Sequence, residues 1–450
     1  MKLGLKILVL LALISSVYAL EPVNMDQSID IALENAPSVK IYTESLTQAK
    51  KTISLANSYY NPTVKGAVAY TERGPKVETE GIVTSPSRLS DAQVTVTFPI
   101  DIGDTMGTYV KGSKSLYKSS EIGLTTTILD LIKNVKTSYL QCLLYEENVA
   151  TAKSAEKLSE DYLTKINQEV EAGVKAKFDI TRQEYDLSTR KNAVINAEGV
   201  YSQTVNTFNY ILGKESDFVY PTQVSDLNVA NVNMDDDLLQ IAFENRPELK
   251  KAYQDLETAN LSVLAEKKVN NPSLALVGNV DKLLVNQTES KNTSWSATAN
   301  LSIPIFDGGI QKYNAEIAQS KADAQKEQIE AIKQSIITGV LNAKLACETA
   351  KAQILTCESA VKLAQEAYEI SQVRYEENLG TYLDVSDSLD QLVAAQNALS
   401  VAKYSYAISL VALEREIATT LKVNDYANSI IEDVNKKPVK IKKAETGGNK

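Results

Sequence analysis

The chain has 450 residues, 44% of them hydrophobic and 23% charged, with a formal net charge of −10 and no histidine. That is ample apolar material for a folded body. An acidic balance argues against nucleic acid and for cations or basic partners, and the missing imidazole removes most general-base and zinc schemes. Lys2 and Lys6 precede an apolar run from Ile7 to Val17 and a small-residue end at Ala19. This reads as a secretory signal over 1–19. No cysteine follows it, which argues against a lipid anchor, and no later stretch supplies the ~20 apolar residues of a membrane-spanning helix.

Helical periodicity runs over Met25–Tyr60, with a proline near its start. Thr63–Tyr70 and Asp91–Phe98 then alternate apolar and polar residues, the pattern of strands with one greasy face. Residues 71–90 hold Gly74, Pro75, Gly81 and Pro86 and read as a loop. Beyond Pro99 and Gly103 a long helix, a turn at Gly173 and a second helix reach residue 213. The linker lies around Tyr220-Pro221, and the same plan then starts again with Met234–Asn270.

The second half carries Ser273–Val280 and Trp295–Ile303 as its strand pair, with a polar loop over 282–294. The junction Pro304-Ile305-Phe306-Asp307-Gly308-Gly309 follows. Proline ends the ladder and the glycines free the backbone to turn. From Ile310 to Tyr375 there is no proline, so the expected helix is about 100 Å long at ~1.5 Å per residue. Ile329, Ile332, Ile336, Val340, Ala343, Cys347, Ala350, Ile354, Cys357, Val361 and Ala364 keep three-four spacing along it, a coiled-coil seam. Residues 431–450, with six lysines, read as a disordered basic tail.

Asn61-Pro62 recurs as Asn271-Pro272, 210 residues later, and Pro99 and Gly103 recur as Pro304 and Gly308, 205 later. The second offset holds through Cys142/Cys347 and Asp179/Asp384 to Tyr201/Tyr406. The domain plan is therefore a first repeat over 20–220 and a second over 221–430. Four amphipathic strands cannot close a barrel, for which about eight is the usual minimum. Three chains would supply twelve strands, with their helices forming a tube beneath.

On these residues the chain resembles the TolC-like outer-membrane efflux proteins. The Asn-Pro pairs, the Pro304–Gly309 junction and the stretch Tyr375–Ala395 with Tyr382-Leu383-Asp384-Val385 carry the resemblance. It implies an α+β membrane protein. Its fold would be a trimeric twelve-stranded outer-membrane barrel, four strands per chain, continued by a periplasmic α-helical coiled-coil barrel. It further implies an exit duct of a tripartite efflux or type I secretion system, working with a periplasmic adaptor (membrane fusion) protein and an inner-membrane transporter of RND or ABC type. Outer-membrane lipid is the other implied partner; no cofactor or metal is implied, and the chain is not expected to be an enzyme. Asn378 stands where the first half keeps the tip glycine, Gly173, and Gly380 where some members place an arginine.

The tip residues admit two readings. Asp384 with Thr381 fits a helix N-cap, and Asp384 with Asp387 also fits a pore-facing acidic ring repeated by symmetry. The resemblance further implies that Tyr375 and Asp179 hydrogen-bond between helices and hold the tunnel closed. Cys142, Cys347 and Cys357 read as small seam residues. A periplasmic coiled-coil adaptor or scaffold without a barrel is the competing function.

Overall fold

The computed structural model describes residues 21–72, 77–79, 82–85, 88–214, 219–221, 232–234, 237–286, 293–377, 379–420 and 423–436. The signal over 1–19, Asn378, and the tail from 437 onward lie outside these. In chain order the elements are β1 (Glu21–Val23), α1 (Met25–Asn35), α2 (Pro37–Ser58), β2 (Thr63–Glu72), β3 (Val77–Thr79), β4 (Ile82–Ser85), β5 (Arg88–Ile100), α3 (Thr105–Glu171), α4 (Lys177–Ile211) and β6 (Val219–Pro221). Then come α5 (Leu238–Asn245), α6 (Pro247–Lys268), β7 (Ser273–Asn286), β8 (Thr293–Ser302), α7 (Ile310–Glu376), α8 (Tyr382–Ile417) and α9 (Val423–Lys436). The helix pair, strand pair and long helix pair occur twice in one order, and α3 and α7 are both 67 residues long.

Each helix expected before the strands is two helices. Pro37 and Pro247 are the first residues of α2 and α6, where the missing N–H has no intrahelical partner to lose. Proline also forces the residue before it out of the helical region. Ala36 accordingly sits at φ −57°, ψ 127° and Arg246 at φ −59°, ψ 119°.

The chain forms two compact units. One comprises residues 44–123 and 248–332 and holds the main sheet, ordered β2-β5-β7-β8 with every neighbour antiparallel. On its even-numbered side β5 shows Val94, Val96 and Phe98 to solvent, while the odd residues from 91 to 99 are more shielded. Register joins Val64 to Val96, Val94 to Val280 and Val280 to Trp295. One face is thus a continuous apolar surface, with Val68 74% and Trp295 78% exposed. The opposite face presents Lys65, Gln93, Thr95, Asn279, Ser296 and Asn300.

The strands are longer than their periodicity shows. β2 runs to Glu72, β5 begins at Arg88, and β3 and β4 pair antiparallel between them, so 71–90 is not one loop; Pro86 lies outside the described residues. Likewise β7 reaches Asn286 and β8 starts at Thr293, which leaves only 287–292 of the expected 282–294 loop, all outside the described residues. β8 stops at Ser302, one residue short of the expected Ile303.

The other unit comprises residues up to Thr43, 124–247 and 333 onward. Its helices carry the seam. Ile336, Val340, Cys347 and Ala350 of α7 are buried, Ala343, Ile354, Cys357, Val361 and Ala364 half-buried, and the same spacing continues to buried Tyr368 and Tyr375. Cys142 and Cys347 are 0% and 1% exposed. Burial, followed by the nearby Glu146, pushes the Cys142 thiol up to about 12.

Tyr220-Pro221 is a strand rather than a free linker. β6 pairs in parallel with β1, Tyr220 opposite Pro22. Asn209 fixes it by accepting from the Val219 N–H at 3.0 Å and donating to the Val219 carbonyl at 2.9 Å. Around the end of α8, Glu414 accepts from buried Lys136 at 2.7 Å, Arg415 donates to Asp130 at 2.8 Å and Glu416 accepts from Arg246 at 2.6 Å. The expected basic tail from 431 begins inside α9, which continues to Lys436.

Candidate functional site: helix tips and strand–helix junctions

Both long helix pairs turn back in the same way. At the end of α3 the Val174 N–H donates to the Glu169 carbonyl at 2.8 Å, across Gly173 at φ +76°. At the end of α7 the Leu379 N–H donates to the Arg374 carbonyl at 2.7 Å. The residues of the second bond lie 205 beyond those of the first. This is the bond that closes a helix on a left-handed residue, which glycine adopts without a Cβ penalty.

After the turns, each helix start is capped by the matched aspartate. Thr381 accepts from the Asp384 N–H at 3.3 Å, and Asp384 accepts from the Thr381 N–H at 2.8 Å and its hydroxyl at 2.9 Å. These bonds, that from the backbone first, hold the Asp384 carboxyl below the usual carboxylate range. Asp179 accepts from the Ala176 N–H at 3.1 Å, but Ala176 has no side-chain oxygen to cap in return. Asp387 is exposed one turn further along α8. The capping geometry is therefore present, and it leaves Asp387 outside it.

The expected Tyr375–Asp179 bond is not made within the chain. The Tyr375 hydroxyl donates to Glu169 Oε2 at 3.3 Å, and Lys175 Nζ stands 4.6 Å over the Tyr375 ring. Asp179 is occupied with its own helix start, where the N-terminal amides favour a carboxylate, so Glu169 takes the phenol instead. Tyr375 is 4% exposed and packs edge-on against Tyr162 and Tyr382.

Behind the tyrosines lies a polar cluster that the tip motifs alone do not reveal. Asp186 of α4 accepts from Tyr382 at 3.1 Å, Ser386 at 3.0 Å, Ser159 at 2.8 Å and Arg190 at 3.4 Å. Arg190 also donates to Asp390 of α8 at 2.6 Å. Gln183, fully buried, donates to the Ser159 carbonyl at 2.8 Å. The signal was in the sequence: Gln183, Leu187, Arg190 and Val194 keep seam spacing, so two polar residues occupy apolar positions. Such residues fix register and partner at a cost in stability.

Burial, then the Glu169 charge and hydrogen bond, hold the Tyr375 phenol well above its ordinary 10.0. Burial, then Asp186, does the same for Tyr382. A phenol raised on folding stabilises the fold fully below the ordinary value, and that stabilisation fades as pH rises through the raised ones. Amide exchange at the start of α8 should therefore quicken above pH 10, and by less in Tyr375→Phe, which has one phenol fewer to ionise. Identical alkaline profiles would remove Tyr375 from this coupling.

At the junctions, Gly308 and Gly309 adopt φ +72° and +89°. Asp307 accepts from the Gly309 and Gln311 N–H groups at 2.9 and 2.8 Å. Asp104, in the place of Gly309, takes φ +52° and pairs with Lys268 at 2.5 Å. Pro304 follows β8, whereas Pro99 lies inside β5 opposite Ala275. Proline is tolerated there because the β2 ladder has already ended at Thr63–Thr97.

A family model described as outer membrane efflux protein matches residues 28–214 and 238–419. "Nodulation protein T" of Rhizobium leguminosarum bv. viciae is 23% identical over 388 residues, 82% of this chain and 76% of that protein. The toluene efflux pump outer membrane protein TtgI of Pseudomonas putida is 23% identical over 382 residues, 81% of this chain and 78% of that one. Among solved structures, the Campylobacter jejuni CmeC outer membrane channel superposes with a TM-score of 0.78 at 18% identity, covering 92% of this chain and 89% of that one. The open-state MtrE channel of Neisseria gonorrhoeae gives 0.69 at 20% identity over 90% and 93%. Since the match takes in both halves, strands, junctions and tips alike, the chain belongs to the outer membrane efflux protein family.

Proposed function

We propose that the chain is one third of a duct. Three copies close a twelve-stranded barrel in the outer membrane, and their duplicated helix pairs continue it as a periplasmic tube. The duct is the exit component of a tripartite efflux or type I secretion assembly. A periplasmic adaptor engages the tips at Gly173 and Gly380, and an inner-membrane transporter of RND or ABC type supplies the substrate. The observation that carries this reading is the four-stranded sheet, whose outer strands β2 and β8 each pair with one strand among the described residues, and whose one face is apolar. In a bilayer unpaired strand edges are costly, and only closure removes them. The same face, together with family membership, sets aside the periplasmic scaffold without a barrel.

The tips serve as the gate. The aspartates at 384 and 387 recur around the axis as a carboxylate ring, and the tyrosine and Arg190 clusters bias the tip toward its closed form. Two measurements test the duct. The mass of the detergent-solubilised protein should be that of three chains; a stable monomer overturns the shared barrel. A cysteine at Pro86 should react on intact cells with an impermeant reagent, while one at Thr381 should not. The reverse order would invert the topology.

A further inference from the structure

One copy contains the template for how two copies meet. Within the chain, β5 closes the first half and pairs with β7, which opens the second. Ile100 faces Leu274, Phe98 faces Leu276, Thr97 faces Val277, Val96 faces Gly278 and Val94 faces Val280. The other contact of this type in a closed ring is between β8, which closes the second half, and β2, which opens the first half of the next copy. β2 and β7 both start directly after their Asn-Pro pairs, at Thr63 and Ser273, so the offset of 210 aligns them. The offset of 205 aligns β5 with β8. Carrying each partner by its own offset gives Ile305 opposite Val64, Ile303 opposite Gly66, Ser302 opposite Ala67, Leu301 opposite Val68 and Ala299 opposite Tyr70.

We infer that β8 of one copy, with the strand continued through Ile305 on assembly, pairs with β2 of the next in this register, and that the Asn61 side chain clasps the Gly308 carbonyl across that seam. The inference rests on the shared-barrel reading above. Three observations support it. A slip of one residue would turn every side chain to the wrong face, and this register sets apolar residues against apolar ones and Ser302 against Ala67, although the two offsets come from different parts of the chain. Both partners stand bare in one copy, Ile305 96% and Val64 68% exposed.

The third observation is the clasp already made inside the chain. Asn271 Nδ2 donates to the Gly103 carbonyl at 2.7 Å. The approach is so close that an added Cβ on Gly103 would stand 2.7 Å from the Asn271 Cβ and 3.0 Å from the Pro272 carbonyl oxygen. Gly308 repeats Gly103 and Asn61 repeats Asn271. Around Gly308 an added Cβ meets nothing within 4 Å among the described residues, and Asn61 is exposed. The second cradle has its glycine and its asparagine on opposite edges of the same sheet.

The test uses full-length protein in its membrane, with Cys142, Cys347 and Cys357 changed to Ala. Opposed residues of antiparallel strands have Cβ atoms about 4.5–5.5 Å apart, close enough for oxidation to join them. Thr97→Cys with Val277→Cys should form a link within one chain and shows that the chemistry works. Ala67→Cys with Ser302→Cys should give covalent dimers and trimers. Ala67→Cys with Asn300→Cys, two residues out of register, should give at least tenfold less. Preference for the 67–300 pair overturns the register. No link at 67–302 in a protein whose wild type has the mass of three chains overturns this inference alone, whereas a wild-type monomer overturns the barrel reading first. For the clasp, Asn61→Ala should lower the temperature at which the oligomer separates in SDS; an unchanged temperature removes it.

Discussion

Asp387→Ala lifts the block of the open duct by multivalent cations and leaves the start of α8 intact. Asp387 is exposed and takes no part in the cap, which Thr381 and Asp384 make between themselves. In the trimer proposed above, the substitution would remove three carboxylates from one ring, and such rings select cations and bind them tightly enough to obstruct flow. The blocking concentration should rise at least about tenfold, a modest demand on the charge lost. Asp384→Ala should also weaken block, and in addition fray the first turn of α8, which loses both its side-chain bonds to Thr381. Bilayer recordings with a multivalent cation titrated from the tip side measure the first effect and amide exchange the second. If Asp387→Ala combined with Asp384→Ala leaves both selectivity and block untouched, the ring is not there, and Asp384 is a helix cap and nothing more.

Arg190→Ala opens the resting duct. The guanidinium bridges Asp186 of the first helix pair and Asp390 of the second, so it ties the pairs together. Only the Asp390 arm crosses between the pairs, since Asp186 lies on the same helix as Arg190. Asp390 is 64% exposed, so solvent screens that arm and its loss costs about 1 kcal/mol per copy. Three copies together lose about 3 kcal/mol, which shifts a closed-to-open ratio by roughly a hundredfold. Conductance should rise and protease should reach the turn at Gly173. Arg190→Lys, which keeps the charge and loses the fork, should fall between. Wild-type conductance in a variant that still assembles would reduce Arg190 to a packing role.

The seam on α7 was readable residue by residue because spacing alone decides which side of a helix is covered. The four long strands were readable for the same reason at a period of two. Breaks decided by one residue were harder. Pro37 and Pro247 sit within apolar periodicity that continues past them, and only the backbone preference of Ala36 and Arg246 shows that two helices meet there. The hairpin of β3 and β4 is hidden in glycine and proline, and the strand at Tyr220 depends on a partner 198 residues away. At the tip, Tyr375 and Asp384 came from the family resemblance, and the repeat matched Asp179 to Asp384. Their bonds followed from neither, because Asp179 and Glu169 compete for partners through geometry that no spacing encodes. Gln183 and Arg190 were legible as polar intruders in an apolar row, but their carboxylate, Asp186, lies off that row.

Cys142 and Cys347 have a bearing on how the protein is made. Thiolate is the form that attacks disulfides and takes up oxidants, and burial keeps Cys142 in its thiol form far above physiological pH. Once folded, these sulfurs are closed to the chemistry of an oxidising compartment. With Cys357 free as well, maturation of the duct calls on no disulfide oxidase and no disulfide isomerase. Cells lacking the machinery of disulfide formation should assemble it at the ordinary rate, and the same chain should refold in reductant as readily as in air.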